Sequence, residues 1–171
     1  TVLRTICHQL RDADPDVVLV WLSGGSPSGL PPGSPPGSEA GLEAGLVDAQ
    51  GAAGELEDIL SMAASDPRRW IVLIDDADLM GEAPVVVDLI RSGTSAVAVV
   101  AAARVGAVRS RYDHWVRHIQ SCGIGVLLNP ENAVDGDIFG VRLPRNESLE
   151  RVPGRGYLVR AGTVTAVQVA R

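Results

Sequence analysis

Lysine is absent from this chain: all 15 basic residues are arginine, set against 21 acidic ones. A phosphate loop completed by a lysine must therefore draw that side chain from elsewhere. A phosphoacceptor receiver domain, which needs a lysine opposite its phosphoryl group, is excluded on the same ground. Aromatic residues make up only 4% of the chain, too few for the stacking platform that holds single-stranded nucleic acid. Their scarcity also favours an aliphatic α/β core over a sandwich. Cys7 and Cys122 are too few and too far apart for a disulfide scaffold, so a reducing compartment is the simpler assumption. The longest apolar run, Ala96 to Ala103, falls far short of the roughly 20 residues that cross a bilayer. No basic-apolar-small signal opens the chain, so membrane attachment is expected only through other parts of a parent protein. The net charge of -6 argues against a generally basic nucleic-acid surface.

The 171 residues, 46% of them hydrophobic, suit one domain with a substantial core. Val2, Leu3, Ile6, Cys7 and Leu10 recur at helical spacing, and Pro15 stops that helix before an apolar strand, Val17 to Leu22. Residues 24 to 46 are rich in Gly, Ser and Pro and read as a flexible surface insertion. A helix is expected over Gly51 to Ser65, stopped by Asp66-Pro67. A strand over Trp70 to Ile74 follows, then a helix over Pro84 to Ile90 and a strand over Ala96 to Ala102. The series closes with a helix over Arg109 to Ser121 and a further strand after it, Ile124 to Leu128. Alternating strands and helices imply a parallel sheet. The end differs: Tyr157 to Arg160 and Thr163 to Val169, joined by Ala161-Gly162, read as a β-hairpin.

The most informative stretch is Trp70-Ile71-Val72-Leu73-Ile74-Asp75-Asp76-Ala77-Asp78. Four apolar residues without polar alternation read as a strand covered on both faces, and adjacent carboxylates stand at its end. Strand C-termini in open α/β sheets face the ligand crevice. An acid there can hold magnesium and a second can orient or deprotonate water, which is the shape of a Walker B element. The plainer alternative is that Asp75, Asp76 and Asp78 cap a following helix.

Other constellations are weaker. The GGSPSG segment at 24 to 29 has prolines where a helix N-terminus should begin, so it fails as a dinucleotide fingerprint. His114 and His118 stand at i, i+4 on the expected helix, a spacing able to grip zinc with a third ligand such as Asp113 or Cys122. Tyr112, Trp115, Ile119 and Cys122 make the better apolar stripe, which favours a solvated face for the histidines. Arg104, Arg109, Arg111 and Arg117 gather after the strand ending at Ala103 and suit bidentate phosphate contacts. Arg104, directly after the strand, is the stronger candidate for sensing a nucleotide. Arg109 and Arg117 are candidate arginine fingers, and for Arg109 and Arg111 an ordinary solvated helix with ion pairs is the alternative.

The segments IVLIDDADLM, AVAVVAAARVGAVRSRYDHWVRHIQSCGIGVLL and DGDIFGVRLPRNESLERVPGRGYLVRAGTVTAVQVA resemble the FtsK/SpoIIIE-type ATPases. Among these they are most similar to the EccC ATPase domains of type VII secretion, over about residues 66 to 171. The resemblance implies a RecA-like P-loop NTPase fold, α/β with a three-layer parallel sheet and a C-terminal β-hairpin, using ATP and Mg2+. It assigns Asp75 to magnesium, Asp76 to the catalytic position usually held by Glu, and Arg104 to a sensor position. TVLRTICHQL is similar to the helix that follows a Walker A loop, which places Thr1 at the nucleotide and implies a partial domain whose phosphate loop precedes Thr1. Asp is one methylene shorter than Glu, and a base drawn back by roughly 1 Å loses about 100-fold in rate, so a slow or regulatory ATPase is expected.

The leading expectation is a domain that couples nucleotide state to export of small helical proteins or their C-terminal signals. It would work beside sister ATPase domains in a homo-oligomer, in the cytoplasm at the inner membrane face through the parent complex. Two alternatives stand beside it: a double-stranded DNA translocase, and a catalytically weak ATPase-like receptor for secretion signals.

Overall fold

A computed structural model describes residues 2–24, 46–49, 53–92, 97–111, 113–144 and 152–169. Thr1, Tyr112 and residues 25–45 of the expected insertion lie outside them. The chain opens with helix α1 (Val2–Ala13) and strand β1 (Val18–Ser23), as its periodicity predicts. A strand that the sequence reading did not contain follows, β2 (Leu46–Ala49), and it takes in Leu46 from the stretch read as flexible. Then come α2 (Ala53–Ser65), β3 (Trp70–Asp75), α3 (Pro84–Ser92) and β4 (Val97–Ala101). The four strands form one parallel sheet in the order β2-β1-β3-β4.

The acidic strand β3 lies between β1 and β4, and its apolar residues divide between two cores as alternation across a pleated strand requires. Trp70, Val72 and Ile74 pack with Val18, Val20 and Leu22 against Ile59 and Ala63 of α2 and Val86 of α3. Ile71 and Leu73 pack with Val17 and Leu19 against Leu3, Ile6, Cys7 and Leu10 of α1. Helices on both faces therefore make the sheet the middle of three layers, which is why β3 carries no polar alternation. Val72, Leu73 and Ile74 have no exposed surface, and burying a side chain of that size contributes about 1.5–3 kcal/mol. β4 is half-buried along its whole length and, among the described residues, pairs only with β3.

Two expectations are corrected. The segment Arg109 to Ser121 is not one helix: α4 (Val105–Ser110) ends at an extended Arg111, and α5 (Val116–Gln120) starts after a turn. His114 therefore lies outside any helix, and the i, i+4 face it was expected to share with His118 does not form. The break is held by tertiary contacts. Arg111 and His114 spend their side chains on the loop after β3, and His114 Nδ1 accepts the Val116 N–H at 3.3 Å.

The second correction concerns Ile124 to Leu128. This strand, β5 (Ile124–Leu128), does not continue the parallel sheet; it pairs antiparallel with β6 (Arg155–Arg160), which pairs with β7 (Thr163–Gln168). The closing hairpin is thus part of a three-stranded antiparallel sheet. Burial explains the misreading: Leu127 is 2% exposed, whereas Ile124, Val126 and Leu128 are exposed. A short apolar run buried on one face has the same composition as one buried on two. The inner face of this sheet, with Leu127, Tyr157 and Val159, packs on Val141, Leu143 and the 3-10 helix Ala133–Phe139. None of the described helices is long and apolar enough to cross a membrane.

Candidate functional site

Parallel pairing brings the carboxyl ends of β1, β3 and β4 to one edge of the sheet, the edge where ligands bind in open α/β folds. Ser23 is in register with Asp75, and the Gly24 N–H donates to the Asp75 carbonyl at 2.9 Å. From β4, the Ala102 N–H donates to Ile74 O and Ala102 O accepts the Ala77 N–H, both at 2.8 Å. The chain after β3 is thus pinned from both neighbouring strands.

Asp75 is half-buried and its Oδ1 accepts the Asp76 N–H at 3.1 Å, while Asp76 is exposed and adopts φ 48. A left-handed backbone is uncommon for a residue with a side chain, although Asp tolerates it better than most. The conformation turns the chain sharply, and Leu79 N–H closes the turn on Asp76 O at 2.8 Å. Gly24 makes room for it: a Cβ there would collide with the Asp76 carbonyl oxygen and stand 2.8 Å from Met80 N.

Asp78 is buried, 2% exposed, and every oxygen of its carboxylate is engaged by one residue. Oδ1 accepts the Arg104 backbone N–H at 3.2 Å, and Oδ2 accepts Nε at 2.8 Å and Nη2 at 2.6 Å. Burial by itself would raise the Asp78 pKa. The hydrogen bonds from Arg104 and its charge more than reverse that, so the carboxyl is held below its ordinary range. Arg104 is correspondingly raised, first by its hydrogen bond to Asp78, then by the charge of Asp78, with the charge of Asp76 adding to both. Arg111 Nη1 donates to Asp78 O, and His114 Nε2 donates to Met80 O, each at 3.0 Å. With Nδ1 accepting from Val116, this pattern requires the Nε2–H tautomer of His114.

The structure puts Asp75, Asp76 and Arg104 at one edge of the sheet and anchors Arg104 there on Asp78, for which the sequence offered only the alternative of a helix cap shared with Asp75 and Asp76. The signal was present: a third acid two residues beyond Asp76, and an arginine directly after the neighbouring apolar strand. Arg109 and Arg117 stand elsewhere. Arg109 Nη1 lies 3.4 Å from Asp135 Oδ1, and both arginines line a cleft of about 440 Å3 with Gln120, Asp137 and Ile138. Asp135 is itself committed to accepting the Glu131 and Asn132 N–H groups at 2.8 and 3.0 Å.

Among the described residues no group of three or more His, Cys, Asp or Glu is placed to hold a metal. Magnesium keeps most of its shell as water and phosphate oxygen and takes one or two carboxylates, and the adjacent carboxylates of Asp75 and Asp76 at the sheet edge are donors of that kind.

No protein-family model matches this sequence, and no curated protein matches it either. Solved structures do share its fold. EssC (ATPases 2 and 3) from Geobacillus thermodenitrificans matches 98% of this chain and 33% of its own, with a TM-score of 0.71 at 14% identity. The cytoplasmic domain of EssC matches 89% of this chain and 33% of its own, with a TM-score of 0.60 at 13% identity. This chain spans about a third of the length of either one, and its α/β architecture, with a parallel sheet and an antiparallel C-terminal sheet, is that of the EssC ATPase domains.

Proposed function

We propose that this chain is an ATP-binding domain, motor or regulatory, of an FtsK/SpoIIIE-like ATPase of type VII secretion, coupling nucleotide state to protein export. The observation that carries this reading is the meeting of Asp75, Asp76 and Arg104 at the carboxyl edge of three parallel strands, in a fold shared with EssC ATPase domains. In the proposed site Asp75 holds Mg2+, whose charge offsets that of the phosphates. Asp76, exposed on its tight turn, orients a water and accepts its proton. Arg104 faces the phosphate. Because the chain has no lysine, a phosphate-binding lysine would have to come from residues beyond it. The short carboxylate of Asp76 favours slow turnover, which suits a regulatory domain as well as a motor.

The partners we propose are sister ATPase domains or further copies of the chain, with small helical proteins or their C-terminal signals as cargo. The location we propose is the cytoplasm, at the inner membrane face through the parent complex. Double-stranded DNA fits less well, because the chain carries a net charge of -6 and no general basic surface. The receptor reading draws on the exposed apolar face of β5, formed by Ile124, Val126 and Leu128, against which a helical signal could lay apolar anchors.

The test is calorimetric titration of MgATP into the parent protein, which would supply the phosphate-binding lysine, and into its Asp75→Ala variant, repeated with a labelled C-terminal signal peptide and with duplex DNA. Saturable MgATP binding that Asp75→Ala weakens supports the nucleotide site, and peptide binding that DNA does not displace supports the cargo. MgATP binding that is absent, or unchanged by Asp75→Ala, would overturn the nucleotide reading. Tight, salt-sensitive DNA binding would overturn the cargo.

A further inference from the structure

The Asp78–Arg104 pair is lopsided in a way that a merely structural ion pair does not require. Asp78 is sealed, with a side chain 2% exposed, whereas the side chain of Arg104 is 66% exposed. The carboxylate takes the Nε and Nη2 side of the guanidinium on a single oxygen, and its other oxygen takes the Arg104 backbone N–H. A guanidinium has five N–H donors in a rigid plane. Two are spent on Asp78, and among the described residues Nη1 makes no hydrogen bond, so the edge opposite Nε still presents donors to solvent. That edge has the fork geometry that grips a phosphate through two parallel bonds.

The loop carrying Asp78 is itself immobilised. Arg111 holds the Asp78 carbonyl, His114 holds the Met80 carbonyl, and Gly24 lets the Asp76 carbonyl sit against β1. Asp78 is therefore a fixed post rather than a mobile partner. An arginine anchored to such a post has already lost the rotamer freedom that a phosphate contact would otherwise cost.

We propose that Asp78 is a positioning residue whose role is to present the free edge of Arg104 to the phosphate of a metal-bound nucleotide beside Asp75 and Asp76. The inference rests on the nucleotide reading above and adds a residue to which that reading gives no role. It also sets the ligand class. Asp78 cancels most of the charge of Arg104, and Asp76 lies close enough to influence it, so a bare phosphate meets nearby negative charge. A magnesium-complexed phosphate carries the compensating cation with it. The site should therefore take MgATP or MgADP and discriminate against inorganic phosphate alone.

The experiment is 15N NMR of the arginine Nε–Hε groups, with Arg104 assigned through Arg104→Lys. Without ligand, the Arg104 Nε–Hε signal should be resolved and slow to exchange in the wild type. In the near-isosteric Asp78→Asn, which keeps the loop filled, it should exchange at least about tenfold faster, because a bond between two charged groups has been replaced by a weaker one to a neutral amide oxygen. On titration with MgATP the Arg104 signal should shift, and it should shift little with inorganic phosphate. Asp78→Asn and Arg104→Gln should each lower MgATP affinity, and the double variant should be no worse than Arg104→Gln alone. Arg104→Lys, which keeps the charge but loses the fork, should lower affinity while leaving the amide signals of Asp76 to Met80 in place.

An Asp78→Asn loss that persists in full in the Arg104→Gln background would overturn the proposal, since Asp78 would then act through the fold at large. MgATP that shifts the amides of Ser23 and Asp75 but leaves Arg104 untouched would also overturn it while sparing the nucleotide reading. MgATP that moves no signal anywhere in the chain would overturn both.

Discussion

The carbonyl oxygen of Asp76 occupies the space that a side chain at Gly24 would need. These residues belong to neighbouring strand ends, and their close approach lets the backbone of Asp76 take its left-handed turn against β1 rather than away from it. A methyl group at Gly24 would press on backbone, which cannot rotate aside.

Gly24→Ala is accordingly expected to destabilise the protein by about 1–3 kcal/mol, the usual cost of forcing extra volume into a packed site. It should also displace the loop from Asp76 to Met80. Urea unfolding followed by tryptophan fluorescence measures the first effect, since Trp70 and Trp115 are both buried. Amide shifts at Asp76 to Met80 measure the second. Unchanged stability would mean that the loop has slack that the close contact does not suggest.

Leu73 has no exposed surface and lies in the cluster shared by α1 and the sheet, whereas Leu79, in the acidic loop, is 49% exposed. Leu73→Ala should cost about 2–5 kcal/mol through lost burial and the cavity left behind. Leu79→Ala should stay within about 0.5 kcal/mol, as surface changes usually do. Paired urea midpoints decide the matter.

Two glycines of the antiparallel sheet should respond differently to the same change. A Cβ at Gly156 would meet the backbone carbonyl of Leu127 on the paired strand, and a Cβ at Gly125 would meet the end of the Phe139 ring. A ring can swing away and a paired strand cannot. Gly156→Ala should therefore lower the thermal midpoint more than Gly125→Ala, and equal losses would mean that Phe139 is as constrained as the backbone.

The turn between α2 and β3 supplies a pH test. The hydrogen bonds that Arg68 donates to Asp66, chiefly from its side chain, pull the Asp66 carboxyl down from 3.8 to about 2. A depressed folded-state pKa gives stability that is present above the ordinary value and lost as pH falls through the folded one. The Asp66→Asn variant should therefore be less stable than the wild type above pH 3.8, and the difference should close as pH approaches about 2. Arg68 is 55% exposed, so salt should shrink the difference too. Thermal midpoints across this range, at low and high salt, make the check.

The resemblance in sequence is to FtsK/SpoIIIE-type ATPase domains, and the likeness in fold is to the ATPase domains of EssC. The first rests on short segments such as IVLIDDADLM, and the second on backbone superposition at 14% identity. Within the chain, legibility followed burial. β3 was readable because a strand covered on both faces must be apolar throughout. α1 was readable because one face of it packs on Leu19, Ile71 and Leu73. β5 was misread because one exposed apolar face hides the alternation that would have marked it as an outer strand.

What the sequence determined by itself is therefore local and compositional. It set the two-faced strand with carboxylates at its end, the amphipathic first helix, the hairpin at the close and the lack of any lysine. The tertiary structure alone decided what those carboxylates do. Asp75, Asp76 and Asp78 are near neighbours in sequence, yet one is half-buried at a strand end, one is exposed on a left-handed turn, and one is sealed against Arg104. Burial, backbone hand and the partner 26 residues away separate their chemistries. None of these is a local property, because each depends on which strand ends the sheet brings side by side.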